Sequence, residues 1–195
     1  MKHFIYFSSR AATSGKILSE GDLMKAGRMD IAIHTLISAF FLSHEKRKDV
    51  KLHLIFYGMP DPPKHIEMQI TDKLDISKKD VANLIKKILY KYQKGEKREV
   101  LPGCFIEKKS FLKVIEELEE SGEIFILDKR GEDIRKTKFE KSKTPVFVVG
   151  DQEGFPTKEL KRLKKIAKTI SIGPKTYFAS QTVAIVNNEL DRRGV

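Results

Sequence analysis

The stretch Pro145-Val-Phe-Val-Val-Gly-Asp-Gln-Glu-Gly154 joins an apolar strand to a loop of glycine and acidic residues. A basic helix follows, and the turn Ser171-Ile-Gly-Pro-Lys-Thr176 then opens into a helical run that starts at Tyr177. This order of elements predicts that both loops lie at the carboxyl edge of a parallel sheet, where open α/β proteins bind ligands. The sequence therefore predicts a pocket whose main-chain groups hydrogen-bond a small polar molecule.

Strand and helix patterns alternate along the rest of the chain. We expect strands near 4–7, 52–57, 65–70, 123–127 and 146–149, and helices near 31–43, 77–93, 110–121 and 157–168. Asp30 is a plausible N-cap, and Ser77 with Asp80 resembles a capping box. Residues 8–25 are predicted to be a long loop with room for one helical turn, and 95–103 a charged linker. The alternation predicts an α/β fold with a mostly parallel sheet and helices on both faces.

Length and charge limit the class of protein. The 195 residues suit one domain spanning 1–195, although two are possible. The net charge is +11, with 38 basic against 27 acidic residues. A highly charged thermostable surface is one explanation, but balanced ion pairs do not account for the basic surplus. The excess favours nucleic acid as a partner.

Other features concern the compartment. No apolar run approaches the ~20 residues that cross a bilayer, so we expect no membrane segment. The apolar stretch at the start is too short for a secretory signal. The single cysteine, Cys104, cannot form an internal disulfide, which fits a reducing cytosol. We expect a cytoplasmic protein.

Several familiar kinds of site are missing from the sequence. There is no P-loop, no Rossmann G-x-G-x-x-G and no G-x-S-x-G elbow. The five histidines lack zinc-like spacing, so we expect no metal site and treat each histidine as structural or exposed. They are His3, His34, His44, His53 and His65.

Each of the two carboxyl-terminal loops has a structural and a functional interpretation. Gly150–Gly154 is either a simple strand-ending turn or a place where backbone approaches an adenosine-like ligand. Its acidic side chains disfavour a triphosphate and suit a cationic ligand that carries a ribose. Ser171–Thr176 is either a plain turn or a clasp for adenine edges, with Ser180 and Thr182 nearby. The basic face of 158–168 is either a solvated surface or an RNA contact.

The C-terminal third resembles the knotted (SPOUT) methyltransferase superfamily. Three features carry this resemblance: the strand end at Gly150, the proline-containing loop and the helix with Asn188-Glu-Leu. The resemblance extends along nearly the whole chain to the archaeal tRNA pseudouridine N1-methyltransferase family. The motifs that carry it are Gly27-Arg-Met-Asp30, Ala39–His44, Tyr57–Pro63, Gly131-Glu-Asp133 and Val148–Asp151. It implies a C-terminal deep trefoil knot, S-adenosyl-L-methionine as cofactor, tRNA as partner and a homodimer.

The resemblance also implies individual site residues. The cofactor contacts fall on Leu127, Gly150, Ile172, Gly173, Pro174, Lys175, Thr176, Tyr177 and Thr182. Some relatives carry cysteine at the position of Thr182, and threonine serves equally there if the contact is made by backbone.

Arg28 and Asp30 are the catalytic candidates. Loss of the N1 proton of pseudouridine leaves negative charge on the ring, and a guanidinium beside it would stabilise that charge. Asp30 would orient Arg28 or accept the proton, although it could equally be an N-cap, and Arg28 could equally grip a phosphate or act across a dimer interface. Further RNA-binding candidates are Arg10, Lys46, Arg47 and Lys48.

The implied reaction is methylation of N1 of pseudouridine at position 54, in the TΨC loop of tRNA. Two alternatives stay open at this point. The first is a pseudouridine N1-methyltransferase acting on rRNA, and the second is a basic RNA-binding or ribosome-assembly module without catalysis.

Overall fold

The apolar runs of the sequence fold into strands and helices over residues 1–19 and 22–195, the part of the chain that the computed structural model describes. The strands are β1 (Lys2–Ser8), β2 (Val50–Phe56), β3 (Lys64–Gln69), β4 (Arg98–Leu101), β5 (Cys104–Glu107), β6 (Gly122–Asp133), β7 (Thr144–Gly150) and β8 (Lys168–Ser171). The helices are α1 (Gly15–Ser19), α2 (Met29–Phe40), α3 (Val81–Tyr90), α4 (Phe111–Glu119), α5 (Thr157–Ile166) and α6 (Ala179–Arg193).

The strands form one sheet in the order β4-β5-β3-β2-β1-β7-β6-β8. From β2 to β8 every neighbouring pair is parallel, so β1, β2, β6, β7 and β8 end at a common carboxyl edge. The three strands β3, β5 and β4 extend the sheet with antiparallel pairs. The predicted α/β fold with a mostly parallel sheet is confirmed.

Each face of the sheet packs against helices, because successive side chains of a strand point to opposite faces. Phe4 and Tyr6 of β1 join the core that includes α2, α3 and α6, whereas Ile5 and Phe7 join the core under α4 and α5. Within residues 1–19 and 22–195, no helix has the length and apolar character needed to cross a bilayer.

Three stacked phenylalanines run across the centre of the parallel strands. The ring of Phe147 on β7 lies 5.5 Å from that of Phe4 on β1 and 5.4 Å from that of Phe125 on β6, measured between centroids. Phe139 packs edge-on against both Phe125 and Phe147. All three stacked rings have no exposed surface, so they hold β1, β7 and β6 together from within the core.

The structure corrects several local predictions. Arg28, not Asp30, is the N-cap of α2, and Asp30 lies in the first turn. The predicted capping box forms no side-chain cap bond, because a 3-10 turn over Lys78–Asp80 precedes α3. The linker predicted at 95–103 contains β4, which pairs with β5 and packs Val100 and Leu101 on the core.

Replacing Phe147 by alanine should lower the free energy of unfolding by about 3–5 kcal/mol, because it removes the central ring of the stack and leaves a cavity. Urea denaturation followed by circular dichroism measures this. Phe178→Ala is the matched control: its side chain is 70% exposed, so we expect a change below about 0.5 kcal/mol. Equal losses in the two variants would contradict a structural role for the stack.

Candidate active site

A cavity of about 400 Å³ opens beside the middle of β6 and at the carboxyl ends of β7 and β8. Most of its wall is formed by residues 126–130 of β6, where the pairing with β8 is interrupted, and by the loops after β7 and β8. Helices α5 and α6 contribute one residue each. The lining residues are Ile126, Leu127, Asp128, Lys129, Arg130, Val149, Gly150, Asp151, Gly154, Phe155, Leu160, Ser171, Ile172, Gly173, Lys175, Thr176, Tyr177 and Thr182. The volume falls within the range of small-molecule sites, about 300–1,000 Å³.

Main-chain atoms reach the cavity because two of its loops turn closely. A Cβ added at Gly150 would lie 3.2 Å from Cα of Gly154, so the two ends of this loop nearly touch. In the loop after β8, the amide of Gly173 donates to Oγ of Ser171 at 3.2 Å, and that hydroxyl donates back to the carbonyl of Gly173 at 3.0 Å. Both turns are therefore held by short-range contacts before any ligand binds.

Two carboxylates stand in the wall. Oδ2 of Asp151 accepts hydrogen bonds from the Ser8 hydroxyl at 2.7 Å and from the Ser9 amide at 3.1 Å. Asp128 accepts from the side chain and amide of Arg130, and these hydrogen bonds lower the pKa of Asp128 to about 2. Fixed negative charge of this kind suits ligand hydroxyls and a positive centre, and it disfavours phosphate.

The predicted cofactor residues converge on this cavity. Eight of the nine line it, and Pro174, which is exposed, is the exception. Sequence reasoning missed three prominent members of the wall, namely Asp128, Phe155 and Leu160. Asp128 and Phe155 directly follow Leu127 and Gly154, so extending each motif by one residue would have found them. Leu160 belongs to the apolar side of α5, which carried no signal for a ligand.

Arg28 and Asp30 form a bidentate pair at the start of α2. Nε of Arg28 donates to Oδ1 of Asp30 at 3.0 Å, and a terminal nitrogen donates to Oδ2 at 3.0 Å. Arg28 adopts a left-handed backbone with φ of 62°, at a cost of about 1–3 kcal/mol for a non-glycine residue. The preceding Gly27 also has positive φ, and a Cβ there would lie 1.8 Å from the Arg10 carbonyl oxygen.

The pair determines the charge state of both members. The hydrogen bonds from Arg28 lower the pKa of Asp30, and Asp30 in turn raises the pKa of Arg28. An ionised carboxylate with a lowered pKa is a weak proton acceptor. The geometry therefore favours Asp30 as the residue that orients Arg28 over Asp30 as a general base.

The hydroxyl of Tyr6 interacts electrostatically with both the Arg28–Asp30 pair and a carboxylate of the cavity. Tyr6 is fully buried on β1, and burial together with the charge of Asp151 raises the pKa of its hydroxyl. Asp30 and Arg28 also act electrostatically on this hydroxyl. The cavity carboxylate and the Arg28–Asp30 pair therefore lie within electrostatic range of one buried phenol at the carboxyl edge.

The structure separates the four predicted RNA-binding residues into two places. Arg10 lies at the carboxyl edge, where it pairs with Glu153 at 3.1 Å. Lys46, Arg47 and Lys48 line an open groove of about 1200 Å³ between the loops that precede β2 and follow β3. This groove is at the amino ends of the parallel strands, whereas the cavity is toward their carboxyl ends. The 7 residues of β1 place these two edges of the sheet ~20 Å apart along the strand direction.

The groove residues also have acidic partners. Lys46 lies 3.9 Å from Asp75, a terminal nitrogen of Arg47 donates to Asp191 at 2.7 Å, and Lys48 pairs with Asp72. These carboxylates offset the positive charge that RNA would meet there.

Basic residues of α5 are closer to the cavity and less neutralised. Arg162 pairs with Glu116 at 2.9 Å. Lys158, Lys161 and Lys165 are exposed and form no ion pair with any residue in the described ranges. Because Leu160 of the same helix lines the cavity, α5 carries these positive charges on a helix that borders the opening.

Replacing Arg28 by alanine should raise the pKa of Asp30 toward its usual value of about 3.9, because the carboxylate no longer accepts the guanidinium hydrogen bonds. A pH titration of the carboxyl ¹³C resonances measures this. In the unmodified chain, the pair stabilises the fold above the usual Asp pKa, and this contribution is lost as the pH falls through the lowered value. Arg130→Ala, which breaks an equivalent pair with Asp128, is the control and should leave Asp30 unchanged. An unchanged Asp30 pKa in Arg28→Ala would contradict the pairing.

The chain is similar to known proteins over its whole length. The family model described as "Putative SAM-dependent RNA methyltransferase" matches residues 1–195. The tRNA (pseudouridine(54)-N(1))-methyltransferase of Pyrococcus abyssi is 33% identical, and the match covers 100% of both chains. The enzyme of the same name from Methanococcoides burtonii is 35% identical over 98% of this chain and 96% of its own.

The fold has a counterpart among solved structures. The crystal structure of Archaeoglobus fulgidus Nep1 bound to S-adenosylhomocysteine superimposes with a TM-score of 0.64 and covers 100% of this chain and 99% of that one. At 15% identity this likeness concerns the fold alone. Because the family model spans the chain and relatives above 30% identity cover it, the chain belongs to the family of SAM-dependent RNA methyltransferases.

Proposed function

We propose that this chain transfers a methyl group from S-adenosyl-L-methionine to N1 of pseudouridine 54 in tRNA. The observation that carries the proposal is the convergence of eight residues, expected from the motifs to contact the cofactor, on one cavity. The whole-length similarity to enzymes named for this reaction supports the same assignment.

The residues of the cavity fit this cofactor. Main-chain groups of Gly150 and of the loop after β8 suit the polar edges of adenine, and the carboxylate of Asp128 suits ribose hydroxyls. Asp151, with both oxygens already held by hydrogen bonds, would offer a fixed negative charge to a cationic cofactor. When bound, the cofactor supplies an activated methyl group, so the chain needs no residue to generate a leaving group.

The remaining task of the chain is to hold the acceptor base. Pseudouridine N1 carries a proton that must leave, and the ring then bears negative charge on its carbonyl oxygens. Arg28, kept cationic by Asp30, is the group that stabilises this charge. Fixing the base in line can supply several kcal/mol, provided Arg28 is held in one geometry, which is what the bidentate contact with Asp30 achieves.

A base in a folded tRNA loop must be splayed out to enter such a site, so neighbouring phosphates need binding groups. The exposed lysines of α5, a helix that borders the cavity, and Arg10, which pairs with Glu153 of the loop after β7, serve the phosphates nearest the target. Lys46, Arg47 and Lys48, at the opposite edge and partly neutralised, serve more distant parts of the RNA.

Three further features belong to the same proposal. The chain acts as one domain over residues 1–195 and as a homodimer, as the motif resemblance implies. The C-terminal segment forms a deep trefoil knot, as the motif resemblance implies. The cytoplasm is the compartment, since tRNA and the cofactor are both present there.

The experiment that tests the function is an in vitro methylation assay with purified protein, labelled cofactor and tRNA transcripts carrying either pseudouridine or uridine at position 54. We expect label only in the pseudouridine transcript, as N1-methylpseudouridine by mass spectrometry. Label in an rRNA fragment but not in tRNA would support the ribosomal alternative. Absence of cofactor binding by folded protein in calorimetry would support a non-catalytic RNA-binding module.

Two substitutions should separate cofactor binding from turnover. Gly150→Leu should weaken cofactor affinity at least tenfold in calorimetry, since even its Cβ lies 3.2–3.4 Å from Gly154 and Phe155 and the larger side chain must displace this loop. Arg28→Ala should leave cofactor affinity within twofold and reduce kcat by about 10²–10³-fold. Arg28→Lys should restore little, because an ammonium cannot reproduce the bidentate contact. Parallel loss of both properties in both variants would indicate unfolding instead.

RNA affinity should depend on α5 more than on the groove. The double variant Lys158→Ala with Lys161→Ala should weaken tRNA binding and reduce the slope of its salt dependence by about one unit for each phosphate that the protein no longer binds. The double variant Lys46→Ala with Lys48→Ala removes the same charge but should have the smaller effect, because carboxylates already neutralise these lysines. Filter binding over a range of salt concentrations measures both. A larger effect at the groove would reverse our assignment of the RNA surface.

A further inference from the structure

Outside the cavity, four polar side chains form a row across β1, β2, β3 and β5. Nδ1 of His3 lies 3.1 Å from Nε2 of His53, Nδ1 of His53 lies 2.9 Å from Nε2 of His65, and Nδ1 of His65 lies 3.0 Å from Oε1 of Glu107. His53 and His65 are each 2% exposed. The proposed methyltransferase reaction uses none of these residues.

Strand register explains why they meet. On the face shared with Ile5 and Ile55, His53 of β2 is directly opposite Glu67 of β3, and His65 lies two residues before Glu67 on the same strand. Residues two apart on a strand share a face, so His53, His65 and Glu67 form a triangle. One ligand atom from each of the three lies within 4.8 Å of the others.

We propose that His53, His65 and Glu67 form a binding site for one Zn²⁺ ion per chain. Two imidazole nitrogens and a carboxylate oxygen are ligands that zinc prefers, whereas calcium and magnesium take all-oxygen sites. Three protein ligands leave one position of a tetrahedral ion for water. The ion would join β2 to β3 in the antiparallel part of the sheet.

The surroundings of the two imidazoles support this assignment. Histidines that bind metals donate their second ring N–H to a carboxylate, a carbonyl or another acceptor, which fixes the ring orientation. If Nδ1 of His53 and Nε2 of His65 face the ion, the outer nitrogen of His65 donates to Glu107 and that of His53 donates to Nδ1 of His3. The hydrogen bond from His65 to Glu107 is already formed, and Nε2 of His53 already lies within hydrogen-bonding distance of Nδ1 of His3.

Zinc binding requires changes in the contacts that these side chains now make. Two imidazoles on one tetrahedral zinc ion, with Zn–N distances of about 2.0–2.1 Å, have nitrogens about 3.3 Å apart, so the 2.9 Å separation must widen by about 0.4 Å. In neutral rings, Nδ1 of His53 carries the proton between His53 and His65, because Nδ1–H of His65 donates to Glu107. Zinc binding therefore requires that His53 carry its proton on Nε2 instead, with Nδ1 of His3 as the acceptor. Lys51 and Lys97 pair with Glu67 at 3.3 and 2.9 Å and compete with the ion for its carboxylate.

The test uses the full chain, freed of metal by dialysis against a chelator and then titrated with ZnCl₂ in a calorimeter. We expect saturation at one ion per chain and a Tm that rises with zinc concentration. Co²⁺ should bind with the visible absorption of a tetrahedral site that includes nitrogen ligands, a signal that depends on inner-sphere contacts and not on stability.

Variants locate the site. Glu67→Gln and His65→Gln each remove a ligand and should weaken zinc affinity at least tenfold, and Glu107→Gln, which removes an orienting contact, should weaken it by about 10–100-fold. The matched control is His34→Ala with His44→Ala, which removes two exposed imidazoles elsewhere and should change the affinity less than twofold. Glu67 is only partly buried, so we expect Glu67→Gln to fold. This variant therefore tests the site even if His65→Gln fails to fold.

Two results would overturn the proposal. One is the absence of saturable zinc binding by the folded, unmodified chain. The other is binding that survives in Glu67→Gln with an unchanged cobalt spectrum, or that disappears in the control variant, since zinc would then be held by other residues. Both readouts are independent of methylation, so they do not depend on the function proposed for the cavity.

Discussion

The parallel pairing of β1, β7, β6 and β8 is the constraint on which the rest of the molecule depends. It brings the loops after β7 and β8 to one edge, where they enclose the cavity together with residues 126–130 of β6. The stack of Phe4, Phe147 and Phe125 lies across the same strands and fixes their alignment from within the core. A change in register by one residue would turn these rings away from each other and displace every loop of the site.

The site combines a rigid wall with a strained corner. Ser8 and Ser9, at the end of β1, hold the carboxylate of Asp151, so the charge in the wall has the stiffness of the sheet. Arg28 instead occupies a left-handed backbone position that non-glycine residues avoid, and its contact with Asp30 offsets part of that cost. Strained residues of this kind cluster at functional sites, where the surrounding fold determines their conformation.

The two halves of the sheet have different chemistry for a simple geometric reason. Parallel strands end together and place loops at a common edge, which suits a pocket. Antiparallel strands place side chains directly opposite each other. His53 therefore lies opposite Glu67, and His65 opposite Glu107, although the members of each pair are far apart in sequence. Spacing along the chain predicted no zinc site, because a pattern of close spacing detects ligands from one loop or helix and not ligands on facing strands.

The sequence by itself determined the class of fold, the edge where the cavity lies and most of its wall, because hydrophobic periodicity and turn residues are local properties. It also identified Arg28 and Asp30, whose contact spans only two residues. Only the tertiary structure decided that Asp30 pairs with Arg28 and does not cap the helix, that Lys46, Arg47 and Lys48 lie at the opposite edge from the cavity, and that residues 98–101 form a strand. Each of these depends on which strands become neighbours, and that choice is made by burial of the whole core, which no short segment contains.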